Sequence, residues 1–249
     1  MSISAGTEPV KVSVLMVAYN VEPTIDEAIR SVLKQRGVSF ELLIGVDPSQ
    51  DQTWPRVQAY RGDPRVRAWR YRRRRTIGAV RNLLIARARA DYLSICDPDD
   101  IMLPGNLRIL SRALDRNRRV GIVCSESLLM EAQQGRGRMK KEAELLGPDE
   151  GWDLVHGIWG FRHGSLMRRR LVLKVGGYAE DRQPAEDYDL LLRLAEITRF
   201  KALRGRPLYC WRRRRTSVTH ATSRAETLAC LKAILRTAIL RRYGVQVPW

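Results

Sequence analysis

The sequence is poor in cysteine and has no long apolar run. Its four cysteines lie far apart, with no Cys-x-x-Cys pair and no histidine at metal-ligand spacing: Cys96, Cys124, Cys210 and Cys230. This spacing favours buried thiols in a reducing compartment over a disulfide framework or a zinc site. No run of about 18 apolar residues occurs, and the N-terminus lacks the basic region, apolar core and cleavage site of a secretory signal. We therefore expect a cytoplasmic protein without a transmembrane segment.

Acidic residues are also scarce, which leaves the chain with a large positive charge. Only 27 Asp and Glu accompany 45 Lys and Arg, of which 38 are Arg, and the formal net charge is +18. Arginine runs occur at residues 72–75 and 212–215, with a third cluster at 168–170. An imbalance of this size attracts polyanions such as nucleic acid, anionic lipid headgroups or phosphorylated substrates. Charge alone does not choose among these three classes of partner.

The pattern of apolar residues predicts an α/β protein. The 249 residues, 44% of them hydrophobic, are enough for a large buried core. Four apolar runs alternate with helical patterns in about the first 95 residues. In the first of these helices, Thr24 is the expected N-cap, and Glu27 would complete a capping box. Such alternation predicts an open, mostly parallel, doubly wound sheet.

The second half of the sequence is less regular. We expect a short strand in "GSLMRRR", a helix in "AEDYDLLLRLAEI", two strands in "FKALRGRPLYCWRRRR" and a mobile loop over residues 133–150. A C-terminal helix is predicted with four apolar residues on one face: Leu228, Leu231, Leu235 and Ile239. Because no repeat or long linker is present, we expect a single domain over residues 8–249.

The few acidic residues gather where predicted strands end. Asp47 follows the strand "FELLIGV", and Asp97, Asp99 and Asp100 follow "DYLSIC". In open α/β sheets, ligands bind at the carboxyl ends of the strands. Carboxylates on one rim repel each other unless a cation lies between them, and oxygen ligands suit Mg²⁺ or Mn²⁺. "DPDD" is also an ordinary turn sequence, but three acids exceed what capping requires. We predict a divalent-cation site that holds a phosphate.

Five sequence blocks occur in order: "VSVLMVAYN", "FELLIGVDPSQDQT", "IGAVRNLLIARARADYLSICDPDDIMLPGNL", "GSLMRRRLVLKVGGYAE" with "PAEDYDLLLRLAE", and "PLYCWRRRRTSVT". Taken together, they resemble the family 2 glycosyltransferases, which are nucleotide-sugar enzymes of the GT-A fold. Their order is more specific than any single motif. The resemblance implies a nucleotide-sugar-binding half at residues 10–103 and an acceptor-side half at 104–220. An amphipathic helix at 221–249 would follow.

The resemblance also implies roles for residues on the donor side. Tyr19 and Asp47 would contact the nucleotide base of a nucleoside-diphosphate sugar, and Arg81 would contact the nucleotide or the diphosphate. Asp97 would contact the ribose or the sugar. The metal ion, Mn²⁺ or Mg²⁺, would be held by Asp99 together with Asp100. The departing diphosphate gains negative charge, which a cation and an arginine stabilise.

On the acceptor side, the resemblance makes Asp187 the general base, with Glu186 beside it shaping the acceptor site. A carboxylate there would remove the proton of the attacking hydroxyl, and a single in-line attack inverts the anomeric configuration. Related sequences commonly have a histidine where this sequence has Arg214. An arginine cannot ligate a metal but pairs well with phosphate, so Arg214 is expected to contact the donor diphosphate.

Two acceptors are compatible with the sequence. The first is a lipid-linked or polysaccharide glycan at the inner membrane face, with Arg236, Arg241 and Arg242 of the C-terminal helix on anionic headgroups. The second is a hydroxymethylated base in DNA, held through phosphate contacts from the arginine clusters. A non-catalytic nucleic-acid-binding protein would explain the charge but not the ordered carboxylates. A sugar-nucleotide pyrophosphorylase would need a Gly-rich loop after the first strand, and "VAYNVEPT" has none.

Overall fold

The computed structural model describes residues 9–131, 139–140, 164–182, 184–213 and 223–247, and it places eleven strands and seven helices in these ranges. The strands are β1 Val12–Ala18, β2 Phe40–Val46, β3 Val66–Arg70, β4 Tyr92–Ile95, β5 Ile101–Met102, β6 Val120–Ser125, β7 Ser127–Glu131, β8 Met139–Lys140, β9 Leu166–Arg168, β10 Arg199–Leu203 and β11 Tyr209–Arg213. The helices are α1 Ile25–Leu33, α2 Thr53–Gln58, α3 Ile77–Arg87, α4 Asn106–Arg116, α5 Arg169–Lys174, α6 Glu186–Ala195 and α7 Arg224–Tyr243.

Seven strands form one large sheet in the order β10-β6-β9-β4-β1-β2-β3. Every neighbouring pair is parallel except for the two pairs that β9 makes. Val12 of β1 pairs with Phe40 of β2 and with Tyr92 of β4, so the three strands run in register. Their carboxyl ends therefore share one edge of the sheet. The prediction of an open, mostly parallel sheet is confirmed.

Helices cover both faces of the large sheet. One buried cluster contains apolar residues of α1 and α4, and a second contains those of α3, α6 and α7. Strand β1 shows the division directly, because Val14 and Met16 belong to the first cluster and Leu15 to the second. Successive side chains of a strand point to opposite faces, so a strand buried on both faces is apolar throughout. The doubly wound prediction is confirmed.

A second, smaller sheet has the order β5-β11-β7-β8. The two strands predicted in "FKALRGRPLYCWRRRR" are present as β10 and β11, but they do not pair with each other. β10 extends the large sheet beside β6, whereas β11 pairs with β5 and β7. Because β5 directly follows the acidic residues at 97–100, the small sheet connects that acidic segment to β11.

The predicted capping box at the start of α1 is wrong. The Thr24 hydroxyl donates to the carbonyl of Pro98 at 3.0 Å and makes no cap hydrogen bond, and the Glu27 carboxylate pairs with Arg212. Both side chains thus contact the acidic segment and β11 instead of the helix end. A capping box is present at α7, where the Ser223 hydroxyl accepts from the Glu226 N–H and the Glu226 side chain accepts from the Ser223 N–H.

Helix α7 is present, but its packed face differs from the predicted one. Leu231 and Leu235 pack against the core, as expected, and Ile234 and Ala238 are buried beside them. Leu228, predicted for the same face, is 53% exposed. The packed face thus includes Ile234 and Ala238, which the prediction had not named, and the helix contacts α6. Apolar residues therefore lie on both sides of α7, and the protein covers one side.

Three further expectations concern the second half of the chain. The short strand in "GSLMRRR" is confirmed as β9, and it leads directly into α5. The predicted mobile loop at residues 133–150 lies outside the described residues except for the two residues of β8. None of the helices described in the structure combines the length and apolar character required to span a bilayer.

Candidate functional site

The ends of β1 and β2 bring Tyr19 and Asp47 together at the carboxyl edge of the large sheet. The Asp47 N–H donates to the carbonyl of Ala18 at 3.0 Å, which joins the two strand ends. The Arg74 guanidinium lies over the Tyr19 ring, 3.5 Å from its centroid, so one arginine of the first run reaches this corner. The residues predicted to contact a nucleotide base are thus neighbours in the structure.

Asp47 is buried and only partly satisfied. Its Oδ2 accepts a hydrogen bond from the Arg75 N–H at 3.2 Å, whereas its Oδ1 is buried without a hydrogen-bond partner. Burial raises the pKa of the Asp47 carboxyl above its usual range, against the opposing effects of the Arg75 N–H and the Arg74 charge. An unpaired buried carboxylate oxygen costs free energy, so this corner suits a ligand that supplies a hydrogen-bond donor.

Asp97, Asp99 and Asp100 occupy a turn between β4 and β5, and β11 holds that turn. The Tyr209 hydroxyl donates to Asp100 Oδ2 at 2.8 Å and accepts from the Asp97 N–H at 3.1 Å. The Arg212 N–H donates to Asp100 Oδ1 at 2.8 Å, and the Arg212 Nε donates to the Asp99 carbonyl at 2.9 Å. Two residues of β11 thereby fix the backbone of the acidic turn.

Asp100, predicted to hold the metal together with Asp99, faces the interior of the protein. Asp100 is 4% exposed, and both of its carboxylate oxygens accept hydrogen bonds from β11. Burial, followed by the charges of Asp97 and Asp99, raises the pKa of Asp100 well above its usual range. Asp100 therefore anchors the turn from inside the protein. Asp97 and Asp99 are partly exposed on the same turn.

Arg81 of α3 bridges the acidic turn and the start of α6. It is 8% exposed, and its two terminal amino groups donate to Asp97 Oδ1 at 3.2 Å and to Glu186 Oε1 at 3.0 Å. Burial lowers the pKa of Arg81, but Tyr178 and the carboxylates around it raise that pKa above its ordinary value. The resemblance assigns Arg81 to the nucleotide or the diphosphate of the donor. In the structure, its terminal amino groups pair with two carboxylates of the protein.

Glu186 and Asp187 lie in the first turn of α6, beside this bridge. Glu186 is buried against Arg81, and burial raises its pKa while the Arg81 charge acts in the opposite direction. Asp187 is partly exposed, and its Oδ1 accepts a hydrogen bond from the Tyr188 N–H at 2.7 Å. Of these two carboxylates, Asp187 is the more accessible to a substrate.

Asn82, the residue after Arg81, fixes the segment that leads to α6, a role that no local sequence pattern indicates. The Asn82 amide donates to the Tyr178 carbonyl at 2.9 Å, and the Asn82 Oδ1 accepts from the Tyr178 N–H at 2.8 Å. Gly177 has φ +74°, and a Cβ built there would lie 2.6 Å from Asn82 Oδ1. The segment thus approaches α3 too closely for a side chain.

The three arginine clusters differ in position. Arg74 and Arg75 lie at the Tyr19 corner, and Arg212 holds the acidic turn. Arg168 instead donates to the Leu114 carbonyl at 2.7 Å and to other groups near the first residue of β4, at the opposite edge of the sheet. Arg168 therefore lies away from the edge at which Arg74, Arg75 and Arg212 are found. Arg214, expected at the diphosphate, lies outside the described residues.

The chemistry of the acidic turn fits a cation that substrate phosphates help to hold. Among residues 9–131, 139–140, 164–182, 184–213 and 223–247, no group of three or more Asp, Glu, His or Cys side chains is arranged to bind a metal ion. Mg²⁺ is usually bound through one or two carboxylates plus substrate phosphates instead of by an all-protein cage. The resemblance gives that role to Asp99, which is partly exposed on the acidic turn.

The large sheet is mostly parallel and has carboxylates and arginines at its carboxyl edge, which is where ligands bind in open α/β proteins. The chain belongs to glycosyl transferase family 2, whose family model matches residues 13–170. The fold is also that of a solved structure, S. aureus TarS residues 1–349 in complex with UDP-GlcNAc. That match has a TM-score of 0.74, 20% identity and coverage of 92% of this chain and 66% of the other.

Two curated relatives are similar over part of their length. The succinoglycan biosynthesis protein ExoO of Rhizobium meliloti (strain 1021) is 38% identical over 54% of this chain and 38% of its own. The second is the UDP-Glc:alpha-D-GlcNAc-diphosphoundecaprenol beta-1,3-glucosyltransferase WfgD of Escherichia coli, 33% identical over 43% of this chain and 42% of its own. The chain therefore spans less than half the length of either relative.

Proposed function

We propose that this chain transfers a sugar from a nucleoside-diphosphate sugar to a hydroxyl of a lipid-linked or polysaccharide glycan, with inversion at the anomeric carbon. The observation that carries the proposal is the Arg81 bridge, which joins Asp97 on the donor turn to Glu186 at the start of α6. Family membership and the names of the relatives support the same class of reaction.

The donor would lie along the carboxyl edge of the large sheet. Tyr19 would stack on the nucleotide base, and the unpaired Asp47 Oδ1 would accept a hydrogen bond from it. Asp97 would contact the ribose or the sugar. A uridine diphosphate donor is the first choice because the TarS structure contains UDP-GlcNAc and the WfgD name includes UDP-Glc. A divalent cation held by Asp99 would supply positive charge to the departing diphosphate.

The acceptor would approach from the side of α6. Asp187, partly exposed in the first turn of that helix, would accept the proton of the attacking hydroxyl. Glu186 and Arg81 would hold the first turn of α6 against the donor turn, so that base and donor stay in one geometry. We favour a glycan over DNA because the relatives' names concern a polysaccharide and a lipid-linked sugar.

The decisive variant is Asp187→Asn, which keeps the size of the side chain and removes the base. Release of nucleoside diphosphate would be measured with a panel of UDP-, GDP- and TDP-sugars, with Mn²⁺ and after its removal by EDTA. We expect turnover with at least one donor and Mn²⁺, and a fall in kcat of about 10²–10⁴-fold in the variant. UDP binding, measured by calorimetry, should be unchanged.

The matched control is Asp181→Asn, in the segment just before α6, where the Asp181 side chain is 81% exposed. This variant should turn over like the parent protein. Absence of turnover with every donor would contradict the proposed reaction. Equal losses in Asp181→Asn and Asp187→Asn would contradict the base assignment alone.

A further inference from the structure

Helix α7 exposes large apolar side chains on the side that faces away from the protein. Six large hydrophobic residues are exposed in the described chain, and four of them belong to α7 or directly follow it. These four are Leu228 at 53%, Leu240 at 45%, Tyr243 at 58% and Val245 at 52% exposure. Contiguous exposed apolar surface usually marks a site of interaction with a protein, a ligand or a membrane.

Cations share this side of the helix. Lys232 and Arg236 are exposed, and neither has an ion-pair partner among the residues that the structure describes. They lie at four-residue spacing between Leu228 and Leu240, which places all four side chains in one row along the helix. Together with Tyr243, these residues are called the outward face of α7.

The outward face carries no carboxylate. The segment 223–247 contains one acidic residue, Glu226, and its side chain is used in the capping box with Ser223. The opposite side of the helix is already occupied, because Ile234 and Ala238 are buried in the core and Arg241 pairs with Glu196 of the chain segment after α6 at 2.9 Å. The outward face is therefore the side of α7 that is available to a partner.

We propose that the outward face of α7 binds the surface of an anionic lipid bilayer. A row of two cations flanked by leucines is what an interfacial helix presents to headgroups and to the outer part of the acyl chains. Nucleic acid would use the cations but gives no reason for the exposed leucines. A second copy of the chain would bring like charges together, which is unfavourable. Charge complementarity thus selects the bilayer.

The position of α7 beside α6 relates membrane binding to the proposed active site, and this part of the inference rests on the proposed function. The Cys230 thiol contacts the carbonyl of Arg182 at 3.6 Å, so the first half of α7 lies beside the segment that enters α6. The proposed base, Asp187, is in the first turn of α6. A bilayer bound at α7 would hold a lipid-linked acceptor on the α6 side of the site.

Sedimentation with vesicles tests the proposal without any donor or acceptor. The intact protein should bind vesicles of equal parts phosphatidylcholine and phosphatidylglycerol, and it should bind phosphatidylcholine alone much more weakly. Lys232→Gln with Arg236→Gln should weaken binding about 30-fold, at about 1 kcal/mol per cation. Leu228→Ala with Leu240→Ala should weaken it at least about tenfold, because buried methylene groups are lost.

The matched control is Arg112→Gln with Arg116→Gln, which removes the same charge from α4 on the other face of the sheet. This pair should leave binding almost unchanged. Equal losses in both charge pairs, or no loss in the leucine pair, would overturn the proposal. Binding to duplex DNA but not to vesicles would also overturn it. The same holds if the protein is a dimer that dissociates when Leu228→Ala and Leu240→Ala are introduced. Each of these results leaves the donor-hydrolysis assay unaffected, so the two proposals fail separately.

Discussion

Tyr209 makes two of the hydrogen bonds that hold the acidic turn from inside the protein. Its hydroxyl donates to Asp100 and accepts from the Asp97 N–H, and the ring is buried. Asp100 carries a buried carboxylate beside two other acids, so its hydrogen-bond donors offset a large part of the cost of burial. The geometry of the turn therefore depends on a residue in a distant part of the sequence.

Tyr209→Phe is expected to lower the free energy of unfolding by about 1–3 kcal/mol, because two buried polar groups lose a partner. The measurement is equilibrium unfolding in urea, together with calorimetry of UDP binding, which should weaken as the turn loosens. Tyr71→Phe is the matched control. Its hydroxyl is buried without a hydrogen-bond partner, so its removal should cost nothing. Equal destabilisation by both substitutions would contradict the role given to the Tyr209 hydroxyl.

At the level of residues, the sequence predicted which side chains gather but not what each one contacts. Tyr19, Asp47, Asp97 and Asp99 all lie at the carboxyl edge, because each follows the end of a strand in a parallel sheet. Whether a carboxylate faces the ligand or the interior depends on partners far along the chain. The Tyr209 hydroxyl is 109 positions from Asp100, and no local pattern reveals that contact.

Helix α3 positions the segment that leads into α6. The Asn82 side chain accepts a hydrogen bond from the Tyr178 N–H and donates one to the Tyr178 carbonyl. It also donates to Glu180 Oε1 at 3.1 Å. Arg81, the preceding residue, holds the first turn of α6 through Glu186. Two consecutive residues of one helix thus fix the acceptor side of the proposed site relative to the donor side.

Asn82→Ala is expected to lower kcat for sugar transfer while UDP binding stays unchanged, because Asn82 contacts Tyr178 and Glu180 in the segment that leads into α6. Loss of the Tyr178 contacts should also cost about 1–3 kcal/mol in the free energy of unfolding. Asn117→Ala is the control, since the Asn117 side chain accepts only a local hydrogen bond from the Arg119 N–H at the end of α4. Weaker UDP binding in Asn82→Ala, with kcat unchanged, would show that the contact serves the donor instead.

The elements themselves were largely predictable, and their ends were not. A strand buried on both faces must be apolar throughout, so β1 and β2 stand out in the sequence. Thr24 and Glu27 have the spacing of a capping box, but Pro98 and Arg212 compete for the same side chains. Tertiary contacts of this kind override local preference, because polar groups inside the protein need hydrogen-bond partners and compete with the helix end for the same side chain.

The whole molecule carries a net charge of +18, and its self-repulsion works against the compact state. The screening length falls from about 10 Å at 0.1 M salt to about 3 Å at 1 M. We therefore expect the free energy of unfolding, measured with urea, to rise with NaCl concentration. Exposed ion pairs such as Lys11–Asp115 are screened as well, but each contributes little.

The variant Arg112→Gln with Arg116→Gln supplies the comparison for this prediction. It lowers the net charge by two at exposed positions of α4, so the increase in stability with salt should be smaller than in the parent protein. A stability that falls with NaCl in both proteins would mean that attractive pairs outweigh the repulsion. An identical rise in both would mean that the salt acts through hydrophobic burial instead of charge.

The contacts of β11 with the acidic turn also set an order of events during protein synthesis. Tyr209 and Arg212 leave the ribosome 109 and 112 positions after Asp100. At about 5–20 residues per second, this is a delay of about 5–20 s. Strands β1 to β4 can pair within that interval. The nascent chain then contains part of the large sheet, while Asp100 still lacks its hydrogen-bond donors from Tyr209 and Arg212. The binding edge is completed only when the last strand arrives, and translational pauses before β11 would prolong its exposure to chaperones.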